Sequence, residues 1–380
     1  MDVMGALRSE RLAALLLVLA AVAGLVVANS PAAGAVLAAR DLHLGPLSLG
    51  HWVTDGLLAV FFLLAAIELR HELTHGQLDS PRRALVPAVA AVGGVLVPAL
   101  IFLALVRDPR LSGGWPIPTA TDIAFALGVL ALLGRGLPSR VRALLLALAV
   151  IDDLIAILLI AFFFTAGVQP VPLLIAAPLV LVFGWLGYRV KGRARIAVIV
   201  AMIILGLAVW LLVHLSGVHT TIAGVALGLA LPSVAARPVR HALEPVSNGI
   251  ILPLFAFTAA LVAIPSLGGE GLSPVFWGIV IALPAGKLAG ITGGALIASR
   301  LLPAAERRQA LPLGDILVVA GLGGIGFTVS LLMNELAYRG DPGIAAQGTL
   351  AVLLGSLVAI VLGGALTAIR SRAARATSRP

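Results

Sequence analysis

The chain has 380 residues, 60% of them hydrophobic and 11% charged, with a formal net charge of +9. Soluble domains run near 45–50% apolar and about 25% charged, so this composition excludes a soluble globular protein, a disordered chain and a fibrous one. The 42 Gly and 23 Pro residues, breakers of helices in water, are tolerated in membrane helices, and the absence of cysteine excludes disulfides, thiolate metal sites and a Cys nucleophile.

A bilayer-spanning helix needs about 20 mostly apolar residues. The hydropathy pattern predicts an all-α polytopic membrane protein with twelve spans, roughly 12–29, 52–73, 84–106, 118–134, 140–164, 171–189, 195–215, 217–231, 246–264, 274–300, 312–337 and 345–369. The apolar runs are too long for a β-barrel, whose strands alternate over about 10 residues. No soluble domain or long linker interrupts the spans, so residues 1–380 read as one transmembrane domain. Its core lies roughly at 84–164 and 274–369. The first apolar run reads as an uncleaved helix rather than a signal peptide.

The distribution of cations tests this parity. The N-terminus, every second loop and the tail hold 21 of the 26 basic residues, from Arg8 and Arg11 through Lys191, Arg193 and Arg308 to Arg379. The alternate loops hold only Arg40, Arg107, Arg110 and Arg339. Both termini are therefore expected in the cytoplasm. The basic balance is explained by orientation, with no nucleic-acid partner implied.

Ionisable residues inside a membrane cost several kcal/mol and are functional candidates by default. The spans contain Asp55, Glu68, Asp122, Asp152, Asp153 and Lys287, with Asp315 and Glu335 near a rim. Snorkelling at a helix end accounts for Glu68, Asp315 and Glu335, but not for Asp122, Asp152, Asp153 and Lys287. Asp152 and Asp153 are adjacent in mid-helix, about 100° apart around the axis. They can line one cavity without sharing a face, titrate as a coupled set, and hold protons or a hard cation. Lys287 is one of only two lysines among 26 cations. A buried Lys can release its proton whereas Arg cannot, so Lys287 is expected to pair with a buried carboxylate.

Pro118-Thr119-Ala120-Thr121-Asp122 in the fourth span and Gly321-Leu322-Gly323-Gly324-Ile325-Gly326-Phe327-Thr328 in the eleventh predict interrupted helices. Paired interruptions point to a transporter site near the midplane. Spans three to five and ten to twelve are the candidate repeats, with Asp122 placed to offset helix N-termini and Lys287 helix C-termini. A competing motif, His71-Glu72-Leu73-Thr74-His75, has the H-E-x-x-H spacing of a zinc protease. It sits at a span end beside Arg70 with no persuasive third ligand. His214 and His219 read as structural or cavity-lining.

With these residues in view, the chain resembles the NhaA family of sodium/proton antiporters. The resemblance rests on 52–73, 86–101, 118–134, 146–157 (LALAVIDDLIAI), 216–228 (SGVHTTIAGVALG), 251–257 and 324–332 (GIGFTVSLL). It implies inverted-topology repeats with crossing interrupted helices four and eleven. It also implies electrogenic, alkaline-activated exchange of one Na⁺ or Li⁺ for two protons across the inner membrane, with no cofactor. By the same resemblance Asp153 is the principal Na⁺ ligand, assisted by Asp152 and Thr121. Asp152 pairs with Lys287 when the site is empty, and Thr121 and Asp122 stand at the crossing with Gly323, Gly324 and Gly326. Asp55 and Glu68 serve the cytoplasmic funnel and ion entry, and Glu72 the pH-sensing rim. The chain departs from the family at that rim, where Arg240-His241 and Glu244-Pro245 move the acid to Glu244, and at Ala259-Ala260-Leu261. The pH set point depends on these rim charges. A homodimer is implied too, through a short hairpin expected between Leu42 and Trp52.

Overall fold

The computed structural model describes residues 9–45, 47–76, 78–165, 167–190, 195–264, 271–303, 307 and 311–377. Of the cations used above, Arg8, Lys191, Arg193, Arg308 and Arg379 lie outside them, as does the side chain of His75.

Among the described residues, ten helices are long and apolar enough to cross a membrane. A bent pair, Leu313–Gly323 and Phe327–Ala337, turns by 45°, and Thr221–Ala230 is a shorter apolar helix. Besides short helices at Ala33–Arg40 and Leu49–His51, the helices are α1 (Glu10–Ala28), α2 (Leu58–His75), α3 (Pro81–Leu105), α4 (Ile123–Leu133) and α5 (Ser139–Phe163). They continue with α6 (Pro170–Gly187), α7 (Arg195–Leu215), α8 (Thr221–Ala230), α9 (Ser233–Val246) and α10 (Leu252–Ala259). The last are α11 (Pro274–Ile281), α12 (Lys287–Leu301), α13 (Leu313–Gly323), α14 (Phe327–Ala337) and α15 (Pro342–Thr377). Their outer faces are strongly apolar, with Phe162 at 78% and Ile196 at 77% exposure. A soluble protein does not show such faces, and lipid explains them.

Three expected boundaries move. The fourth span is helical only over α4, because Pro116 and Pro118 hold the preceding stretch in short 3₁₀ turns at Ser112–Gly114 and Ile117–Thr119. The eighth shrinks to α8, since Gly217 adopts φ +78° in the break after α7. The ninth begins earlier, at Ser233. The stretch expected as a loop is helix α9, joined to α10 through a π-helical turn at Ser247–Ile251.

The expected hairpin is present as β1 (His43–Leu44) and β2 (Leu47–Ser48), antiparallel, with His43 opposite Ser48 and Leu44 opposite Leu47.

Small residues let the helices meet at backbone distance, the usual device where hydrophobicity cannot drive association. A Cβ added to Gly290 on α12 would lie 2.1 Å from the Gly93 carbonyl oxygen on α3. One added to Gly224 on α8 would lie 1.9 Å from the Ala59 carbonyl oxygen on α2. The first contact fixes the helix that carries Lys287. The second fixes α8 against the helix that carries Glu68.

Candidate ion-binding site at the broken helices

Two interrupted segments cross in the core. The Asp122 amide donates to the Ile325 carbonyl at 2.6 Å, and the Ser330 hydroxyl donates to the Ile117 carbonyl at 2.7 Å. Each segment thus satisfies backbone groups that the other's interruption leaves open, as membrane burial requires. α13 ends at Gly323, Gly324 caps it, and Gly326 stands immediately before α14.

The Asp122 carboxylate serves two helix N-termini. Its Oδ1 accepts from the Phe125 amide at 3.0 Å, capping α4. Its Oδ2 accepts from the Thr328 amide at 3.3 Å and hydroxyl at 2.7 Å, at the start of α14. The carboxylate therefore faces the positive ends of both half-helices. Ser356 adds another contact there, its hydroxyl oxygen accepting from the Phe327 amide at 3.1 Å.

Asp152 lies mid-helix on α5, 2% exposed, while Asp153 points to a more open side. Lys287, with no exposed surface, places its ammonium 2.5 Å from Asp152 Oδ2. The Thr121 hydroxyl lies 2.6 Å from the same oxygen and 2.7 Å from the Gly323 carbonyl oxygen, so its single proton is shared between two acceptors. Thr121 links the carboxylate directly to the negative end of α13. The ammonium of Lys287 is engaged by Asp152, and it is Thr121 that meets the helix C-terminus, the place the sequence reading gave to Lys287. Asp152 Oδ1 is buried with no hydrogen-bond partner, and Asp153 makes no hydrogen bond or ion pair among the described residues. Asp153 is close enough to Asp152, Asp122 and Lys287 to interact with all three electrostatically. The arrangement sets the Asp152 carboxylate beside the Thr121 hydroxyl and, through it, the Gly323 carbonyl. Hydroxyl, carbonyl and carboxylate oxygens of this kind suit a small hard cation.

The rim residues divide into two places. Glu68 on α2 forms an ion pair with Arg240 on α9, with Glu72, His71 and Glu244 in electrostatic range. His241 lies on the same α9 turn. Arg70 donates to the Leu229 and Leu231 carbonyls at 2.6 and 2.7 Å, closing the C-terminus of α8. Asp55 is not part of this group. It sits at the opposite end of the same membrane-crossing segment, in a π-helical turn at Trp52–Leu57. There His219 Nε2 approaches its Oδ1 at 3.4 Å. Its backbone carbonyl accepts from Trp210 Nε1 and the Thr220 hydroxyl, both at 2.8 Å.

Snorkelling fails for Asp315, which is 1% exposed and held by Arg370 Nε at 2.7 Å. The zinc reading gains no support: Glu72 is buried near the end of α2, and among the described residues, which leave out the side chain of His75, no group of three metal-ligating side chains occurs. Sequence reasoning missed the supporting contacts of Thr328, Ser330, Ser356 and the Asp55–His219 pair. Buried hydroxyls carry no sequence signal, and the histidine lies 164 positions from its partner.

Broken helices that meet beside a caged lysine–aspartate pair, inside a bundle of apolar helices, fit a membrane transporter. The family model described as "Na+/H+ antiporter 1" matches residues 5–367. A Na⁺/H⁺ antiporter NhaA 2 of Clavibacter michiganensis is 57% identical over 97% of this chain and 92% of its own length. The NhaA of Tropheryma whipplei is 45% identical, covering 94% of each chain, and that of Thermobifida fusca 43%, covering 96% of this chain and 93% of its own. The chain belongs to the NhaA family of Na⁺/H⁺ antiporters.

Proposed function

We propose that this protein is an electrogenic antiporter that moves Na⁺ or Li⁺ out of the cell and two protons in. It would work by alternating access in the inner membrane, with both termini cytoplasmic. The observation that carries the reading is the cluster at the crossing. Asp152 Oδ2 is held by Lys287 and Thr121, while Asp152 Oδ1 and the Asp153 carboxylate make no hydrogen bond among the described residues. In this reading Asp153 is the principal cation ligand, with Asp152 and Thr121 completing the donor set. Arriving Na⁺ takes Asp152 away from Lys287 and displaces the protons held by the cluster. Competition for one set of oxygens then yields exchange with no separate coupling device.

Two protons against one Na⁺ move one net charge per cycle, worth about 2.3 kcal/mol per 100 mV. An inward-negative potential therefore drives Na⁺ outward. Alkaline activation follows from the same competition, because protons hold the carboxylates at low pH.

Twelve crossings, with inverted repeats in spans three to five and ten to twelve, fit the paired interruptions. Glu68, Glu72, Arg240, His241 and Glu244 form the cytoplasmic funnel rim, and Asp55 belongs to the opposite face. The hairpin of β1 and β2, whose first strand is exposed and whose second is buried against the protein, is the element through which two copies pair.

The test is Na⁺-induced proton movement in proteoliposomes. Wild-type protein collapses an imposed pH gradient on addition of Na⁺ or Li⁺. Asp153→Asn retaining full exchange overturns the site assignment.

A further inference from the structure

α11 and α12 belong to one membrane-crossing segment, Pro274–Leu301, but its hydrogen-bond ladder is not α-helical throughout. Residues Ala282–Gly286 make a π-helical turn, and Lys287 is the first residue beyond it. Pro284, inside the turn, has no amide hydrogen, so an α-helical ladder would leave the Val280 carbonyl without its donor. The Lys287 amide closes the turn by donating to the Leu283 and Pro284 carbonyls. A π turn holds one residue more than the α-helical turn it replaces. Relaxing it to α-helical bonding would therefore rotate α12 by roughly 100° relative to α11, and the direction in which Lys287 leaves the helix axis depends on this turn.

The turn is buried, and both interrupted segments touch it. Ala282 and Leu283 have no exposed surface. Leu283 occupies the space that Gly326 leaves open at the head of α14, where an added Cβ would lie 2.8 Å from Leu283 Cδ1. Its other methyl reaches α15, where a Cβ on Gly355 would lie 3.2 Å from Cδ2. Pro284 stands behind the cap of α13, since a Cβ on Gly324 would lie 3.4 Å from Pro284 Cα. The 3₁₀ turn Ile117–Thr119 of the fourth span packs against the same turn. α3 closes the other side. A Cβ on Gly286 would lie 2.7 Å from Pro98 Cα, and one on Gly94 would lie 3.7 Å from Cδ of the Lys287 stem. The titratable groups in electrostatic range of the ammonium are Asp152 and Asp153, both on α5.

We propose that the π turn Ala282–Gly286 aims Lys287 at Asp152, and that Leu283 is the positioning residue that ties this aim to the crossing of the broken helices. Leu283 offers no polar atom and acts through Lys287. Close-packed interiors transmit displacement, so a shift of the α14 head at Gly326 moves Leu283 and, through the turn, the ammonium. The lysine–aspartate pair then makes and breaks with the position of the half-helices. The inference rests on the antiport reading only for the transport readout that follows.

The first readout is a double-mutant cycle on unfolding in detergent, Leu283→Ala against Lys287→Met. Without Leu283 the pair is loosened, so Lys287→Met is expected to lower the midpoint by about half as much as in the wild-type background. Leu17→Ala, an equal truncation at a fully buried position of α1, is expected to be additive with Lys287→Met. Additive losses for Leu283→Ala, or equal coupling for Leu17→Ala, overturn the proposal. The second readout is the pH profile of Na⁺-induced proton movement in proteoliposomes. Leu283→Ala is expected to displace half-activation by about half a pH unit or more, because the carboxylates titrate as a set with the cation beside them. Leu283→Met, which refills the volume, should return it, and Leu17→Ala should leave it in place. A profile that Leu283→Ala leaves unmoved, or that Leu283→Met fails to restore, overturns the proposal whatever the stability. Should Leu283→Ala not fold, Pro284→Ala, which returns the missing amide and lets the turn relax, takes its place in both readouts. Wild-type protein that moves no protons on addition of Na⁺ defeats the antiport reading. The unfolding cycle needs no transport and still decides what aims Lys287.

Discussion

Lys287 Nζ sits 2.5 Å from Asp152 Oδ2, with both side chains wholly shielded. Removing one member of such a pair leaves an uncompensated buried charge, which costs about 3–5 kcal/mol, whereas replacing both by apolar groups is often neutral. Lys287→Ala should therefore lower the unfolding midpoint in detergent well below that of the wild type. The double variant Asp152→Leu/Lys287→Leu should recover much of the loss. A double-mutant cycle measures the coupling. Additive losses would show that the two residues are held independently.

Asp122 caps α4 through one oxygen and α14 through the other. Each N-cap is worth about 0.5–2 kcal/mol. Asp122→Ala is expected to lose both, and Asp122→Asn to keep the Phe125 contact while its amide group cannot accept from Thr328. Thermal unfolding should rank wild type above Asp122→Asn above Asp122→Ala. Identical midpoints for the two variants would show that the Thr328 contact contributes nothing.

Much of this was legible in the sequence because burying charge in hydrocarbon is so costly. Asp122, Asp152, Asp153 and Lys287 stood out as exceptions in a chain with 11% charge, and Gly323-Gly324-Ile325-Gly326 marked a break by its low helical preference. The reach of each side chain was not legible. Asp55 and Glu68 share one apolar run, yet only the fold shows that one faces His219 and the other Arg240. Nor does hydropathy separate a snorkelling acid from a locked one. Asp315 and Glu335 look alike at span ends, but Asp315 is held by Arg370 while Glu335 faces a cavity.

Gly290 has no room for a side chain, since its Cβ would meet the Gly93 carbonyl oxygen at 2.1 Å and the Gly93 carbonyl carbon at 2.7 Å. Backbone cannot rotate aside as a side chain does, so α3 and α12 must separate. Overpacking costs about 1–3 kcal/mol and sometimes more. Gly290→Leu is expected to abolish folded protein on size-exclusion chromatography, and Gly290→Ala to fold with a lower midpoint and slower exchange. Wild-type stability in Gly290→Ala would refute the close contact.

The rim pair Glu68–Arg240 is partly open, with side-chain exposures of 18% and 42%. A pair this solvated contributes little stability, on the order of 0–1 kcal/mol, so its effect should be read in activity. Glu68→Gln removes the acid paired with Arg240, making the rim more positive by one charge. A more positive mouth repels Na⁺, so half-maximal exchange should need several-fold more Na⁺ from that face, an effect weakened by added salt. The charge-swapped variant Glu68→Arg/Arg240→Glu should restore the Na⁺ requirement.

In the proposed mechanism protons and Na⁺ seek the same carboxylate oxygens of Asp152 and Asp153, so raising Na⁺ should shift the half-activation of exchange to lower pH. Lowering Na⁺ should shift it to higher pH. For binding of one Na⁺ against two coupled protons, a tenfold rise in Na⁺ is expected to move the midpoint by about half a unit where both protons are released. It should move by about one unit where a single proton is released. Initial rates in proteoliposomes over a grid of pH and Na⁺ distinguish the two. Asp153→Asn, should it retain any exchange, ought to shift by about one unit per tenfold Na⁺, the single-proton value. A midpoint that stays fixed as Na⁺ varies would mean that activation is set at the rim by Glu68, Glu72, His241 and Glu244, not by competition at the crossing.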